Sequence, residues 1–591
     1  MIEGNTTATG NYTFSVKATD SNSPAATATA NLQITVNGSA GTLTITTSSL
    51  PNGTNNTPYN ALLSANGGIT PYSWTIASGA LPTGLSLDPR SGLISGTPGA
   101  AGTTSVTIKV TDVQNDTASQ LLTLTIDTGD ANGTLNGMYA VSFQGFAHGV
   151  ALAAAGSLTF DGNGHVTAGE TDVNNTSSGV EHDQITGGTY SISSNGLGQI
   201  NWTDDHGGNV QMLIATGSAE TMRIIAYNTN GSSGTWGAGV LRQQNPSDFN
   251  APALAGNWAF GLQGFDPAGN PTSSDGTYSE SPTGAFSNGA EDINDFGNHS
   301  QVTFTGSGSG TVDANGRATS QIHIGSQTFS YAAYVISANE VLLVEIDSGG
   351  SITISNALRQ SGTMNDGILN GNAVGRGSRI HNAGQGSAAN QAIVLLINSS
   401  GTGNVTFSLD TNTGGTVLQS SEAGTYSVES NGRTSINLPG GALVVCYMVA
   451  SNEGFCINAV DETGDVKGAE VLYFEPQSAG PFSNASLQGE YLGGSLVLYK
   501  DDTDSSINTL WADGAGNHSL IYDQSGPDGT LLNQTGSGTY TVDSTGAVTL
   551  LENGSPTGYG FMISANKFCM ISTDSNPRSL IQVTSSAPHH Y

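Results

Sequence analysis

The chain has 591 residues, with 14 Lys+Arg against 46 Asp+Glu, a net charge of −32 and only 10% charged residues. So few and so scattered cations cannot track phosphates or hold an anionic lipid surface, which excludes nucleic-acid binding and membrane-surface attachment. No stretch reaches the ~20 apolar residues of a membrane helix, so no membrane insertion is expected, while 36% hydrophobic residues with 81 glycines leave apolar material for several cores.

Two kinds of repeat organise the chain. Residues 2–20, IEGNTTATGNYTFSVKATD, superpose on residues 94–112, ISGTPGAAGTTSVTIKVTD. Each copy closes on an alternating strand, Leu32, Ile34, Val36 in one and Leu122, Leu124, Ile126 in the other, the period of a half-buried strand. The complete copy, residues 42–128, carries Pro58-Tyr59, the run GGITPY at 67–72, Trp74, Leu81-Pro82, Gly84-Leu85 and GLISGTP at 92–98. On these residues it resembles the Ig-like repeat of large bacterial surface proteins, which implies a cadherin-like Ig sandwich. Trp74 alternates with Tyr72 and Ile76 and is expected in its core. Residues 1–37 hold only the C-terminal half of such a domain, and residues 1–10 carry neither a basic nor an apolar leader segment. Two expectations follow: a fragment of a longer polypeptide, or a half-domain completed by self-association through residues 1–37. Asp20 and Asp112 end strands where related modules sometimes hold calcium at junctions, but the carboxylate cluster of true cadherins is absent.

The second repeat recurs four times, over residues 134–245, 253–361, 368–477 and 485–586. The openings are LNGMY at 135–139, LAGNW at 254–258, LNGNA at 369–373 and LQGEY at 487–491. Tyr190, Tyr426 and Tyr540 each stand six residues before a glycine, and Gly310 takes that place in the second copy. Late blocks such as YVISANEVLLVEID at 334–347 read as hairpins around an Ala-Asn or Ser-Asn turn. No helical periodicity occurs. The expected class is all-β, tandem Ig-like β-sandwiches followed by four antiparallel β-barrel or sandwich repeats, the barrel preferred. These units also resemble uncharacterised repeats of bacterial surface proteins, a resemblance that implies no activity. Short linkers suggest a string of separate modules whose interiors are filled by packing.

The recurring site candidate is an Asp-x-Asn pair: Asp172/Asn174, Asp292/Asn294 and Asp410/Asn412, with Asp523/Ser525 in the fourth unit. Carboxylate and amide oxygens two residues apart suit Ca²⁺, the one metal expected. The competing and preferred reading is an Asx-turn. DGNGH at 161–165 begins like a calcium loop but lacks its later Glu and reads as a tight hairpin turn. Asp204-Asp205-His206 and Glu181-His182-Asp183 lack the second histidine of a zinc site; His589 and His590 are tail residues. Cys446 and Cys456 flank a hairpin; pairing Ala450 with Phe455 puts them on opposite faces, so no disulfide is expected. Trp258 reads as core, Trp202, Trp236 and Trp511 as core or glycan-stacking residues. No nucleophile elbow or phosphate loop is present. The chain is therefore expected to be non-enzymatic, without an organic cofactor, extracellular or on a cell surface, structural or adhesive, with a glycan or surface-protein partner. The alternatives are a carbohydrate-binding array and a fibre subunit assembling by strand donation.

Overall fold

The computed structural model describes residues 10–584 except 20, 22–25, 37–40, 56–57, 128–130, 177–178, 217–221, 228–233, 296–297, 382–390, 461–467, 470, 496–504, 527–528 and 575–578. Asp20, His589 and His590 lie outside the described residues. The chain divides into two compact units, residues 1–130 and 131–591. No helix among the described residues is long and apolar enough to cross a membrane.

In the first unit, strands Gly102–Thr111 and Thr117–Asp127 pair antiparallel and carry Val106, Ile108, Val110, Leu122, Leu124 and Ile126 on one face. That face is buried against Leu43, Tyr59, Leu63, Ile94 and Trp74, the core of a small sandwich of a four-stranded and a three-stranded sheet. Gly92 has φ of 76°, and a Cβ there would stand 2.8 Å from the Trp74 indole nitrogen, so only glycine lets the chain pass the tryptophan. Asp112 accepts from the backbone N–H groups of Ile69, Gln114 and Asp116 at 2.8–2.9 Å. These bonds, led by Ile69, hold its carboxyl below the ordinary value and fix the strand end. The upstream hairpin, Gly10–Thr19 with Thr27–Val36, repeats this register, Phe14 opposite Leu32 and Tyr12 opposite Ile34. Tyr12, Val16, Leu32 and Ile34 are exposed, whereas Ile108, Leu122 and Leu124, which match the last three, are buried.

The second unit contains four eight-stranded up-and-down barrels. Their strands run from Asn136–Ala147 to Thr235–Gln243 (barrel 1) and from Gly256–Phe265 to Ile352–Arg359 (barrel 2). They run from Asn370–His381 to Leu472–Pro476 (barrel 3) and from Gln488–Ser495 to Ser579–Thr584 (barrel 4). In barrel 3 the first strand pairs with both the second and the last, and a two-residue strand, Gly468–Ala469, extends it. Alternation supplies each interior: Tyr139, Val141 and Phe143 point inward with Leu158, Phe160 and Ile200. The repeat signatures close one end of each barrel. Leu135, Leu254, Leu369 and Leu487 are buried there. The hydroxyls of Tyr190, Tyr426 and Tyr540 donate to the carbonyls of Leu135, Leu369 and Leu487 at 2.6–2.8 Å. In barrel 2, where Gly310 replaces the tyrosine, Trp258 Nε1 donates to Leu254 O at 2.9 Å instead.

Two expectations are corrected. Cys446 and Cys456 form a disulfide. The hairpin turns tightly, Ala450 pairs with Glu453 across a register shift, and the two cysteines become direct cross-strand partners facing the barrel core. The barrels are also not strung out. An apolar cluster joins barrel 1 to barrel 2 (Ala153, Trp236 with Tyr334, Val344), and a second joins barrel 2 to barrel 3 (Ala259, Ala290 with Tyr447, Phe455). A third joins barrel 3 to barrel 4 (Val374, Val394 with Phe561, Ile571) and a fourth returns from barrel 4 to barrel 1 (Leu492, Ile507 with Leu213, Ile225). The same head-to-tail contact, made four times, closes a ring.

Candidate functional site

The Asp-x-Asn pairs lie within strands, on the outer faces that meet the next barrel. Arg317 of barrel 2 donates through Nε and Nη2 to Asp172 at 2.6 and 2.8 Å, and the Tyr334 hydroxyl donates at 2.6 Å. Arg433 of barrel 3 grips Asp292 in the same way at 2.7 and 2.8 Å, with Tyr447 at 2.9 Å and His299 Nε2 at 2.8 Å. Burial alone would raise the Asp292 carboxyl; Arg433 overcomes this and holds it below the ordinary value. The amides of Asn174, Asn294 and Asn412 donate to backbone carbonyls of the following barrel, those of Glu345, Asn458 and Ser572. These oxygens and amides thus serve as latches between barrels, a role that neither the calcium nor the Asx-turn reading contained.

The latch thins around the ring. The residues standing where Arg317 and Arg433 stand, directly after the repeat glycine, are Ala547 in barrel 4 and Leu197 in barrel 1. Phe561 and Ala215, opposite Ala547 and Leu197, replace the tyrosine. Among the described residues Asp410 therefore meets no guanidinium; burial raises its carboxyl against one opposing bond from Gln419 at 2.8 Å. A glutamine strap repeats beside the latch. The amides of Gln244, Gln360 and Gln477 donate to the carbonyls of Val335, Met448 and Met562 of the next barrel at 2.7–2.8 Å. At the closing seam Thr509 Oγ1 donates to Asn195 O at 2.7 Å.

Charges from all four barrels gather on the inner strands. The position two residues before Leu342, Phe455 and Cys569, the cross-strand partners of Tyr334, Tyr447 and Phe561, holds Glu340, Glu453 and Lys567, and barrel 1 adds Arg223, the cross-strand partner of Ala215. Arg242 pairs with Glu340 at 2.8 Å, joining barrels 1 and 2, while Arg376 and Lys567 share Glu475 at 2.5 Å each, joining barrels 3 and 4. Arg223 is buried with its Nε unpartnered, and burial, then Arg376 and Arg242, push its pKa well below the ordinary value.

Barrel 2 departs from the expectation that packing fills every interior. At the end opposite Trp258 it holds a cavity of about 100 Å³. Glu291, Glu345, Ser274, Thr353 and Tyr331 supply its polar walls, and Leu262, Ile293, Ile324 and Phe329 its apolar ones. Thr353 Oγ1 and Ser351 N donate to the two Glu345 oxygens at 2.9 and 3.0 Å. Burial pushes Glu291 and Glu345 each up to about 7, opposed by Ser274 at Glu291 and by Thr353 and Ser351 at Glu345. The places of Glu291 in barrels 1, 3 and 4 are Thr171, Leu409 and Tyr522, and register puts Asn458 and Ser572 where barrel 2 has Glu345.

The remaining candidates are local. Asp161 Oδ1 accepts from Asn163 N and His165 N at 2.7 and 3.0 Å, closing the DGNGH turn. The two histidine tripeptides meet at one edge of barrel 1, where His206 Nδ1 lies 2.7 Å from Asp183 and 3.3 Å from Asp205. The three groups are near enough to share an ion. Trp202, Trp236 and Trp258 are buried, and Trp511 is 38% exposed.

A search of the curated proteins found no match. Among solved structures the chain is similar to one described as a putative alpha-galactosidase/melibiase from Bacteroides fragilis, with 26% identity over 16% of this chain and 19% of that one, TM-score 0.14. It thus spans about a fifth of that protein's length. It is similar to the extracellular cadherin domains of protocadherin gamma B7, with 11% identity over 50% and 57%, TM-score 0.14. It is also similar to a protein of unknown function of the DUF3598 family from Nostoc punctiforme, with 11% identity over 39% and 98%, TM-score 0.14. Residues 41–127 match the Putative Ig domain family and form an Ig-like sandwich module of that kind.

Proposed function

We propose that the chain is a non-enzymatic, modular protein of the cell surface or extracellular space with a structural or adhesive role. The observation that carries this reading is the presence in one chain of an Ig-like sandwich and of a ring of four barrels locked by buried polar latches. The Cys446–Cys456 disulfide suits an oxidising compartment. A net charge of −32 keeps such a surface soluble and apart from anionic polymers. Antibody labelling of intact cells, paired with an adhesion assay of cells lacking the protein, tests the reading. Surface label and weakened adhesion are expected; label reached only after lysis, or turnover in a hydrolase screen, would contradict it.

A second reading, assembly through strand addition at residues 1–37, has one observation in its favour. The hairpin exposes Tyr12, Val16, Leu32 and Ile34, where the complete copy buries the equivalent face. Electron micrographs of the purified chain would show filaments that vanish on Leu32→Asp/Ile34→Asp substitution; dispersed particles at high concentration would remove this reading.

A further inference from the structure

Barrel 2 brings two buried acids, Glu291 and Glu345, to its cavity at places where barrels 3 and 4 have none. Eight strands enclose room for side chains or for one small ligand. Here the interior is apolar at the Trp258 end and opens at the other into the cup around Glu291 and Glu345. Among the described residues no cation acts on either carboxyl. The two arginines of barrel 2 are both committed elsewhere: Arg317 to Asp172, and Arg359 to the carbonyls of Ala253, Ala255 and Ala338. Ser355, the cross-strand partner of the cavity-lining Leu262, points inward, is only 5% exposed, and its hydroxyl has no hydrogen-bond partner. Asp266, Asp295 and Asp347 stand at the turns around the same end, and burial together with Asp266 raises the Asp295 carboxyl. Buried acids without counter-charge cost folding energy. Here they face empty space.

We propose that this cup binds the ammonium end of a small aliphatic amine. Glu291 and Glu345 take the charged head, the Ser274, Thr353 and Ser355 hydroxyls complete its hydrogen bonds, and Leu262, Ile293 and Ile324 hold the alkyl stem. Phe329 and Tyr331 line the same cup and bring aromatic rings near the cation. A cavity of ~150 Å³ holds a benzene molecule, so one of this size accepts roughly four heavy atoms. A hard divalent ion seeks six to eight oxygens. The four apolar walls offer it none, which favours the amine.

The test is isothermal titration of the full chain with n-propylammonium chloride at low ionic strength and pH 8. One saturable site is expected, with affinity in roughly the millimolar range for so small a ligand. Glu291→Gln and Glu345→Gln should each weaken binding at least about ten-fold, the change expected for loss of a buried charge partner. Glu291→Thr, which installs the residue of barrel 1, serves if the glutamine variant folds poorly; circular dichroism reports the fold of each. n-Propanol should not bind, and Ca²⁺ should not displace the amine. The proposal falls if propylammonium gives no saturable heat, if folded variants bind it as the parent does, if propanol binds equally well, or if Ca²⁺ takes the site.

Discussion

Removing the carboxylate of Asp292 asks how much the latch between barrels 2 and 3 holds. In the parent, Asp292 accepts two bonds from Arg433, one from Tyr447 and one from His299. Asp292→Ala leaves the guanidinium of Arg433, itself 10% exposed, with Ser435 Oγ at 2.9 Å and the half-exposed Glu429 at 3.4 Å. Stranding a buried charge in this way costs about 3–5 kcal/mol. The equivalent Asp410→Ala strands no charge among the described residues, where Asp410 meets only the Gln419 amide and burial already destabilises its carboxyl; the cost there should stay within about 1 kcal/mol. Urea unfolding of the full chain, comparing the midpoint of the same transition in both variants, reads the difference. The double variant Asp292→Leu/Arg433→Met, which removes both charges, should recover most of the loss. Equal effects of Asp292→Ala and Asp410→Ala would refute the assignment of the Arg–Tyr–Asp group as a latch.

Two further outcomes follow from buried acids. Asp275 lies beside Asp292 with both oxygens buried and unpartnered, and burial, then Asp292, push its carboxyl well up. The cross-strand partners of Asp172, Asp410 and Asp523 are Ala155, Val394 and Ile507, so Asp275→Val should stabilise the chain by about 1–3 kcal/mol in thermal unfolding at pH 7; a lowered transition would mean the carboxyl has a partner. Glu291 and Glu345 titrate near 7 when folded, against 4.5 for an unperturbed glutamate, so the folded state binds more protons across that window. Their stabilising effect is complete below about 4.5 and is lost as pH rises through about 7, up to about 3 kcal/mol for each group. Unfolding midpoints should fall between pH 5 and 8, and Glu291→Gln/Glu345→Gln should flatten that slope; an unchanged slope would contradict the burial of these acids.

Local structure was legible because turn glycines and period-two alternation are written residue by residue. The sandwich core around Trp74, the tyrosines at 190, 426 and 540 and the all-β class follow from such patterns. The seams were not legible, because outward faces of these strands carry Asp, Asn, Arg and Gln that look like ordinary solvated positions until a second barrel covers them. A signal existed: Arg317 and Arg433 follow the repeat glycine in the copies after those bearing Asp172 and Asp292. Cys446 and Cys456 were misplaced by one register shift, since a single extra residue at a turn inverts which face a side chain occupies. The cup needed three strands to be placed before Glu291 and Glu345 could be seen to share one interior.

Ring closure is the claim on which the seams, the inner charges and the latch all depend. Small-angle X-ray scattering of residues 131–591 measures it directly. A single barrel of this length has a radius of gyration near 13 Å, so four in a closed square give about 25 Å, whereas four in a line give about 36 Å. A value near 25 Å, unchanged by moderate salt, is expected. A value near 36 Å would show a string of independent barrels and contradict the ring.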